Sequence, residues 1–197
     1  RCLDQGMQAY PMATLYAKDT GISETPIEPM PQRRCTIKIM LASNESDVIK
    51  QIIEATRKGQ CICWIRNTVH DAFTGYTALK GKLPDGSLLL FHARYTLGDR
   101  LDIEDKVLNT FGKTSTEPLR RGKVLIATQV VEQSLDLDFD LLISDLAPMD
   151  LLIQRAGRLH RHIRDEKGNP LSEGSDRREA PCMIIYGPLP GDDADGN

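Results

Sequence analysis

The sequence predicts an α/β fold over residues 33–188, a parallel sheet with helices on both faces, followed by an acidic loop at 189–197. Three observations predict it. Short runs that are apolar throughout, such as Val124-Leu125-Ile126-Ala127, read as strands buried on both faces. Segments with apolar residues at helical spacing fall between those runs. The connections are short, as in successive β-α-β units. In such a sheet ligands gather beyond the carboxyl ends of the strands. That rule singles out Arg66-Asn67-Thr68, His92-Ala93-Arg94, Thr128-Gln129 and residues 144–148.

Residues 1–32 hold Pro11, Pro26, Pro29 and Pro31 and no sustained period, so they read as an irregular linker or arm with a short strand at 13–16. Residues 35–40 alternate and read as a strand. A helix follows, with Ser46 as N-cap, Val48, Ile49, Ile52, Ile53 and Thr56 as its apolar stripe, and Gly59 beyond its end. Cys61-Ile62-Cys63-Trp64-Ile65-Arg66 is a strand, and 69–80 a helix weakened by Gly75. After a turn at Pro84-Asp85-Gly86 come a strand at 88–92 and a helix at 98–111 with Leu101, Val107, Leu108 and Phe111 inward. Strands at 124–127 and 141–144 flank a short helix at 130–134. A helix from Asp150 to about His162, a polar loop with Gly168, Pro170 and Gly174, and a strand at 182–186 complete the series.

The 197 residues suffice for one core, burying roughly 70% of the unfolded surface. With 40% hydrophobic and 27% charged residues the composition is that of a globular protein. No apolar run approaches the roughly 20 residues that span a bilayer and no signal-peptide pattern opens the chain, so a cytoplasmic setting without membrane contact is expected. Five scattered cysteines argue against a disulfide framework, and Cys61 and Cys63, on one face of a strand, read as core rather than metal ligands. The net charge of −3 excludes a globally basic nucleic-acid binder, leaving local patches. A start at Arg1 and a loop-like end suggest a piece of something larger.

The densest patch is Gln154-Arg155-Ala156-Gly157-Arg158-Leu159-His160-Arg161, continuing to Arg164, with an arginine at every third position. On a helix successive arginines would sit on adjacent turns and repel. An anion in front of them would relieve this, and a guanidinium suits phosphate. The alternative is a solvated basic helix; Gly157, where a strong helix former would be expected, favours the phosphate. Some twenty residues earlier, Thr128 to Asp138 supplies hydroxyls, amides and acids. Asp136, Asp138 and Asp140 alternate with apolar residues, as on an edge strand with its acids in water; a magnesium site is a weaker reading.

The segments from Val124 to Asp136 and from Gln154 to Arg161 resemble motifs V and VI of superfamily 2 helicases in order, spacing and strand context. Residues 141–148, Trp64-Ile65-Arg66-Asn67-Thr68 and Leu90-Phe91-His92-Ala93-Arg94 also resemble the second, RecA-like lobe of that superfamily. Over about residues 33–187 the chain most resembles the CRISPR-associated helicase–nuclease of type I interference systems. The resemblance implies that Arg158 and Arg161 reach a nucleotide γ-phosphate, that Gln154 and Arg155 contact nucleotide and the other lobe, and that Asp136 touches the ribose or a coupling network. It implies that Asn67, Thr68 and Thr128 hold a nucleic-acid backbone. The implied partners are single-stranded DNA, a first RecA-like lobe, a nuclease domain and a CRISPR RNA-guided surveillance complex.

Neither Gly-x-x-x-x-Gly-Lys-Ser/Thr nor a metal-holding Asp-Glu-x-His occurs in the chain, so ATP and its Mg2+ would be held by the first lobe and neither by this chain alone. His70-Asp71 is a lone pair in a helix, not a nuclease centre, and no metal ligand set is expected. Two other readings stand beside a DNA motor: an RNA-directed lobe of the same superfamily, and a module acting mainly by protein contact.

Overall fold

In the computed structural model the described residues are 12–27, 36–132 and 135–188. The loop predicted at 189–197, most of the arm, and Cys35 at the head of the first predicted core strand lie outside them. The chain divides into two compact units, Arg1–Cys35 and Thr36–Asn197.

The described part of the first unit is an antiparallel hairpin, β1 (Met12–Ala17) and β2 (Gly21–Pro26), in register from Met12 opposite Pro26 to Ala17 opposite Gly21. Gly21, at φ +75°, closes a three-residue turn that a residue with a Cβ closes poorly. The sequence reading expected an irregular arm with one short strand; the second strand escapes it because Gly-Ile-Ser-Glu-Thr-Pro is polar and ends in proline.

The second unit runs β3 (Lys38–Ala42), α1 (Glu45–Arg57), β4 (Ile62–Ile65), α2 (Val69–Leu79), β5 (Leu88–Phe91), α3 (Leu97–Phe111), α4 (Glu117–Arg120), β6 (Val124–Ala127), β7 (Leu141–Asp145), α5 (Met149–Ala156) and β8 (Cys182–Tyr186). A 3-10 turn, Gln129–Glu132, stands where a short helix at 130–134 is predicted. The six strands β3 to β8 form one parallel sheet in the order β3-β8-β7-β4-β6-β5. Period-two alternation sorts the strand residues between its faces. Cys63, Ile65, Leu125, Ala127 and Leu142 pack beneath α3 and α5, with Val107, Phe111 and Leu152. Ile62, Trp64, Val124, Ile126 and Ile143 pack beneath α1 and α2, with Val48, Ile52, Ala72 and Leu79. The α/β sheet covered on both faces is the predicted fold. Cys61 and Cys63 are core residues, and burial pushes the Cys61 thiol up to about 12.

Several local expectations are corrected. The cap of α1 is Asn44, whose side chain accepts from the Ser46 amide at 2.8 Å. Leu101 is 56% exposed, because Val107 and Phe111 already set the inward face of α3. Gly75 marks a close approach: a Cβ there would meet the Trp64 ring at 3.1 Å and Arg66 Nη1 at 3.3 Å. The largest correction concerns α5, which stops at Ala156 with Gly157 as its cap. The chain then turns at Gly157 and Arg158 and continues irregularly, Leu159 bridging to Phe139, and His160 adopts φ +46°.

What holds this irregular segment is charge. Asp138 is fully buried, not on a solvated edge. Its carboxylate accepts from Arg120 Nη1 at 3.3 Å, from Arg178 Nη1 at 3.1 Å, from the Arg161 amide at 2.9 Å and from Arg164 Nε. Asp140 adds bonds to the Cys61 amide at 2.6 Å and to Arg178 at 2.7 Å, and Asp176 pairs with Arg178 at 2.6 Å. Three guanidiniums thus face three carboxylates. Arg164, itself without solvent exposure, also donates to the Gly112, Ser115 and Gly168 carbonyls at 2.6–2.9 Å.

Removing one member of a buried ion cluster strands the others. Asp138→Ala should destabilise the second unit by roughly 3–5 kcal/mol, measured by chemical denaturation. Burial alone would raise the Asp138 carboxyl, but Arg178, Arg120 and Arg164 outweigh it and hold it below its ordinary value. Its stabilising share is therefore present above the unfolded-state value of about 3.9 and lost as pH falls through the lower folded value. Stability of the wild type should fall on acidification below about pH 4, with a shallower slope in Asp138→Asn.

Candidate functional site

The four evenly spaced arginines do not form a helical stripe. Only Arg155 lies in α5; Arg158, Arg161 and Arg164 follow on the irregular segment, where Leu159 bridges to Phe139. Their partners come from Glu132, Leu135, Asp136 and Asp138. Arg155 Nε donates to Glu132 Oε1 at 2.7 Å. Arg158 Nη2 donates to the Glu132 carbonyl at 2.8 Å, and its Nη1 to the Leu135 carbonyl. Arg161 Nε donates to Asp136 Oδ1 at 2.5 Å, and Arg164 to Asp138. The anions that allow four arginines so close are mostly the chain's own carboxylates. The expectation of one bound phosphate in front of all four is therefore corrected.

Arg158 is the exception. Among the described residues it has no carboxylate within ion-pair distance and is held only by carbonyl oxygens, which orient a guanidinium without neutralising it. Burial, and then the charge of Arg161, pull it below its ordinary value, as for a cation short of counter-charge. Arg161 remains on the surface, its side chain 44% exposed. Asp136 carries Arg161 on one oxygen and His162 Nε2 at 3.0 Å on the other. Burial raises the Asp136 carboxyl, but the Arg161 bond and the His162 charge outweigh it and hold it low. Arg155 differs from its expected role: it has no exposed surface and so cannot touch a nucleotide directly as folded. Gln154, beside it, is exposed.

The other predicted residues sit at the carboxyl ends of adjacent strands. Asn67 leaves β4; its amide donates to Asp145 Oδ2 at 2.9 Å and its side chain to the Leu146 carbonyl at 2.9 Å. Thr68 caps α2, accepting from the Asp71 amide at 3.0 Å and donating to Asp71 Oδ2 at 2.6 Å. Asn67 and Thr68 are both exposed at the head of α2, where the first amides of a helix have no partner within it. Thr128, ending β6, is only 3% exposed. Gln129 reaches from the end of β6 to the Asn67 carbonyl at 3.0 Å.

Three residues lay in segments marked from sequence but received no role of their own. Glu132 receives Arg155, and Asp145 receives Arg66 Nε at 3.0 Å as well as the Asn67 amide. Arg66 lies over the Trp64 ring at 4.4 Å. Position was the signal: Arg66 and Asp145 lie at strand ends, and Glu132 within the Thr128 to Asp138 segment. Among the described residues no group of three His, Cys, Asp or Glu side chains converges as a metal cage requires. No described helix is long and apolar enough to cross a membrane.

The family model described as CRISPR-associated nuclease/helicase Cas3, C-terminal, matches residues 58–164, more than half the chain and every site residue above. CRISPR-associated endonuclease/helicase Cas3 of Escherichia coli (strain K12) is 47% identical over 118 residues, covering 59% of this chain and 13% of its own length. The crystal structure of T. fusca Cas3-ADP matches with TM-score 0.75 at 32% identity, over 91% of this chain and 22% of that one. A chain in a structure described as a CRISPR RNA-guided surveillance complex, pre-nicking, matches with TM-score 0.71 at 32% identity, over 93% and 23%. This chain thus spans between 13% and 23% of the length of these relatives. With fold, motif residues and family model coinciding on one stretch, the chain belongs to the CRISPR-associated nuclease/helicase Cas3 family, as its superfamily 2 helicase C-terminal lobe.

Proposed function

We propose that this lobe is the second motor lobe of an ATP-driven single-stranded DNA translocase whose complete protein also carries a nuclease and acts in CRISPR interference. The observation that carries the reading is Arg158, a fixed guanidinium with no carboxylate partner among the described residues. In this reading Arg158 meets the γ-phosphate of an ATP held, with its Mg2+, by the first lobe when the two lobes close. Two carbonyl contacts set its direction in advance, so little reorganisation accompanies the rise of charge on the transferred phosphoryl group. Arg161, tied to Asp136, stands beside it as the second arginine of the site. Gln154 contributes from the exposed side of α5, and Arg155 acts by bracing Glu132. The solved relative with ADP supports nucleotide use, and the relative in the surveillance complex supports an RNA-guided recruiting partner.

The nucleic-acid grip is assigned to Asn67 and Thr68 at the head of α2; Thr128, buried just after β6, underlies the adjacent strand end and does not reach a nucleic-acid strand directly as folded. Backbone amides and short polar side chains there suit phosphates, which hold a strand without reading its sequence.

In the complete protein, Arg158→Ala should lower DNA-stimulated ATP hydrolysis by roughly 10³-fold or more, with folding and DNA affinity retained. Unchanged turnover would overturn the assignment. The chain by itself should hydrolyse no ATP above background and bind single strands weakly and with strong salt dependence, as steady-state turnover and fluorescence anisotropy would report. Appreciable turnover by this chain would overturn the shared-site reading.

A further inference from the structure

Five residues close a ring across the carboxyl ends of β7, β4 and β6, three neighbouring strands of the sheet. Arg155 Nε donates to Glu132 Oε1 at 2.7 Å. Glu132 ends the 3-10 turn that Gln129 begins. Gln129 Nε2 donates to the Asn67 carbonyl at 3.0 Å. The Asn67 amide donates to Asp145 Oδ2 at 2.9 Å, and the Asp145 carbonyl accepts from Arg155 Nη1 at 3.2 Å, which closes the circuit. Ser144 Oγ thickens one joint, accepting from Arg155 Nη1 at 2.7 Å and donating to the Asp145 carbonyl at 2.7 Å.

Two ends of the proposed motor meet in this ring. Arg155 belongs to the short helix that leads directly into Arg158, and Glu132 offers its carbonyl to Arg158 as well as its carboxylate to Arg155. Asn67 heads the helix assigned to the strand-backbone site. The buried guanidinium of Arg155 is braced from both sides, so it cannot shift toward one arc without opening the other. Hydrogen bonds of 2.7–3.2 Å are lost on displacements of about an ångström. A movement of α5 on nucleotide binding is therefore passed to Asn67 or breaks the ring.

We propose that Asp145 and Gln129 are positioning residues that couple nucleotide binding to the nucleic-acid grip, one through each arc of the ring. This inference rests on the motor reading above. Neither side chain touches nucleotide or DNA in that reading. Asp145 serves through its carboxylate, also anchored by Arg66, while Gln129 is exposed and can be truncated without opening the core.

The test is linkage in the complete protein: the dissociation constant for single-stranded DNA is measured with and without a non-hydrolysable ATP analogue, and the ratio of the two is the coupling. Asp145→Asn and Gln129→Ala should each bring that ratio toward one by roughly 2- to 30-fold. DNA affinity without nucleotide should stay at the wild-type value in both; the melting temperature should stay in Gln129→Ala and fall in Asp145→Asn, which leaves the buried Arg66 with Glu45 as its carboxylate partner. The double variant should lose more coupling than either single one, because the arcs run in parallel. A wild-type ratio in both single variants would overturn the proposal. So would an equal loss of affinity with and without analogue, which signals a damaged grip rather than lost coupling. Should the wild type itself show a ratio of one and Arg158→Ala leave ATP turnover intact, the motor reading fails, and this inference with it. A wild-type ratio away from one that both variants keep fails the ring alone.

Discussion

A carboxylate without solvent must be compensated by charge and hydrogen bonds, and that demand at Asp138 organises much of the second unit. Arg120 from α4, Arg164 from the segment after α5 and Arg178 from the loop before β8 all converge on it. Each guanidinium also ties its own stretch of backbone: Arg164 holds the Gly112, Ser115 and Gly168 carbonyls, and Arg178 the His162 carbonyl at 2.9 Å. The long irregular connection between α5 and β8 is thereby pinned from inside by charge rather than by an apolar face. The Arg161 amide bonds to the same carboxylate, so the position of that arginine follows from the integrity of the cluster.

The division of charge along the arginine segment follows from the same geometry. The end of α5 and the irregular segment after it bring the arginines within reach of Glu132, Asp136 and Asp138. Three arginines find carboxylates and one finds carbonyls. That unequal provision leaves Arg158 the member of the series without a carboxylate among the described residues.

The strand ends contribute a second level of organisation. Parallel strands end together, so Asn67, Gln129 and Asp145 arrive as neighbours although they are far apart in the chain. Their hydrogen bonds join the segment bearing the arginines to the helix start assigned to nucleic acid. This chain amounts to 13% of the length of the Escherichia coli relative and 22% of the T. fusca Cas3-ADP chain.

The sequence by itself determined the parallel α/β sheet, the succession of its strands along the chain and the identity of the two motif segments, because these are local patterns; their order within the sheet came only with the fold. An apolar run such as 124–127 or the repeat of Val48 and Ile52 needs no distant residue to be read. The sequence did not reveal that α5 ends at Ala156, because the pairing of Leu159 with Phe139, twenty residues away, ends the helical pattern there. Nor did it separate Asp136, Asp138 and Asp140, three alternating acids alike in local context. Tertiary structure buried Asp138 beneath three arginines and left Asp136 about half exposed beside Arg161. It made Arg155 a brace, Arg164 a core residue and Arg158 the cation without a carboxylate. The physical reason is that a charge takes its role from its partners, and these partners meet only when the sheet and the irregular segment have folded together.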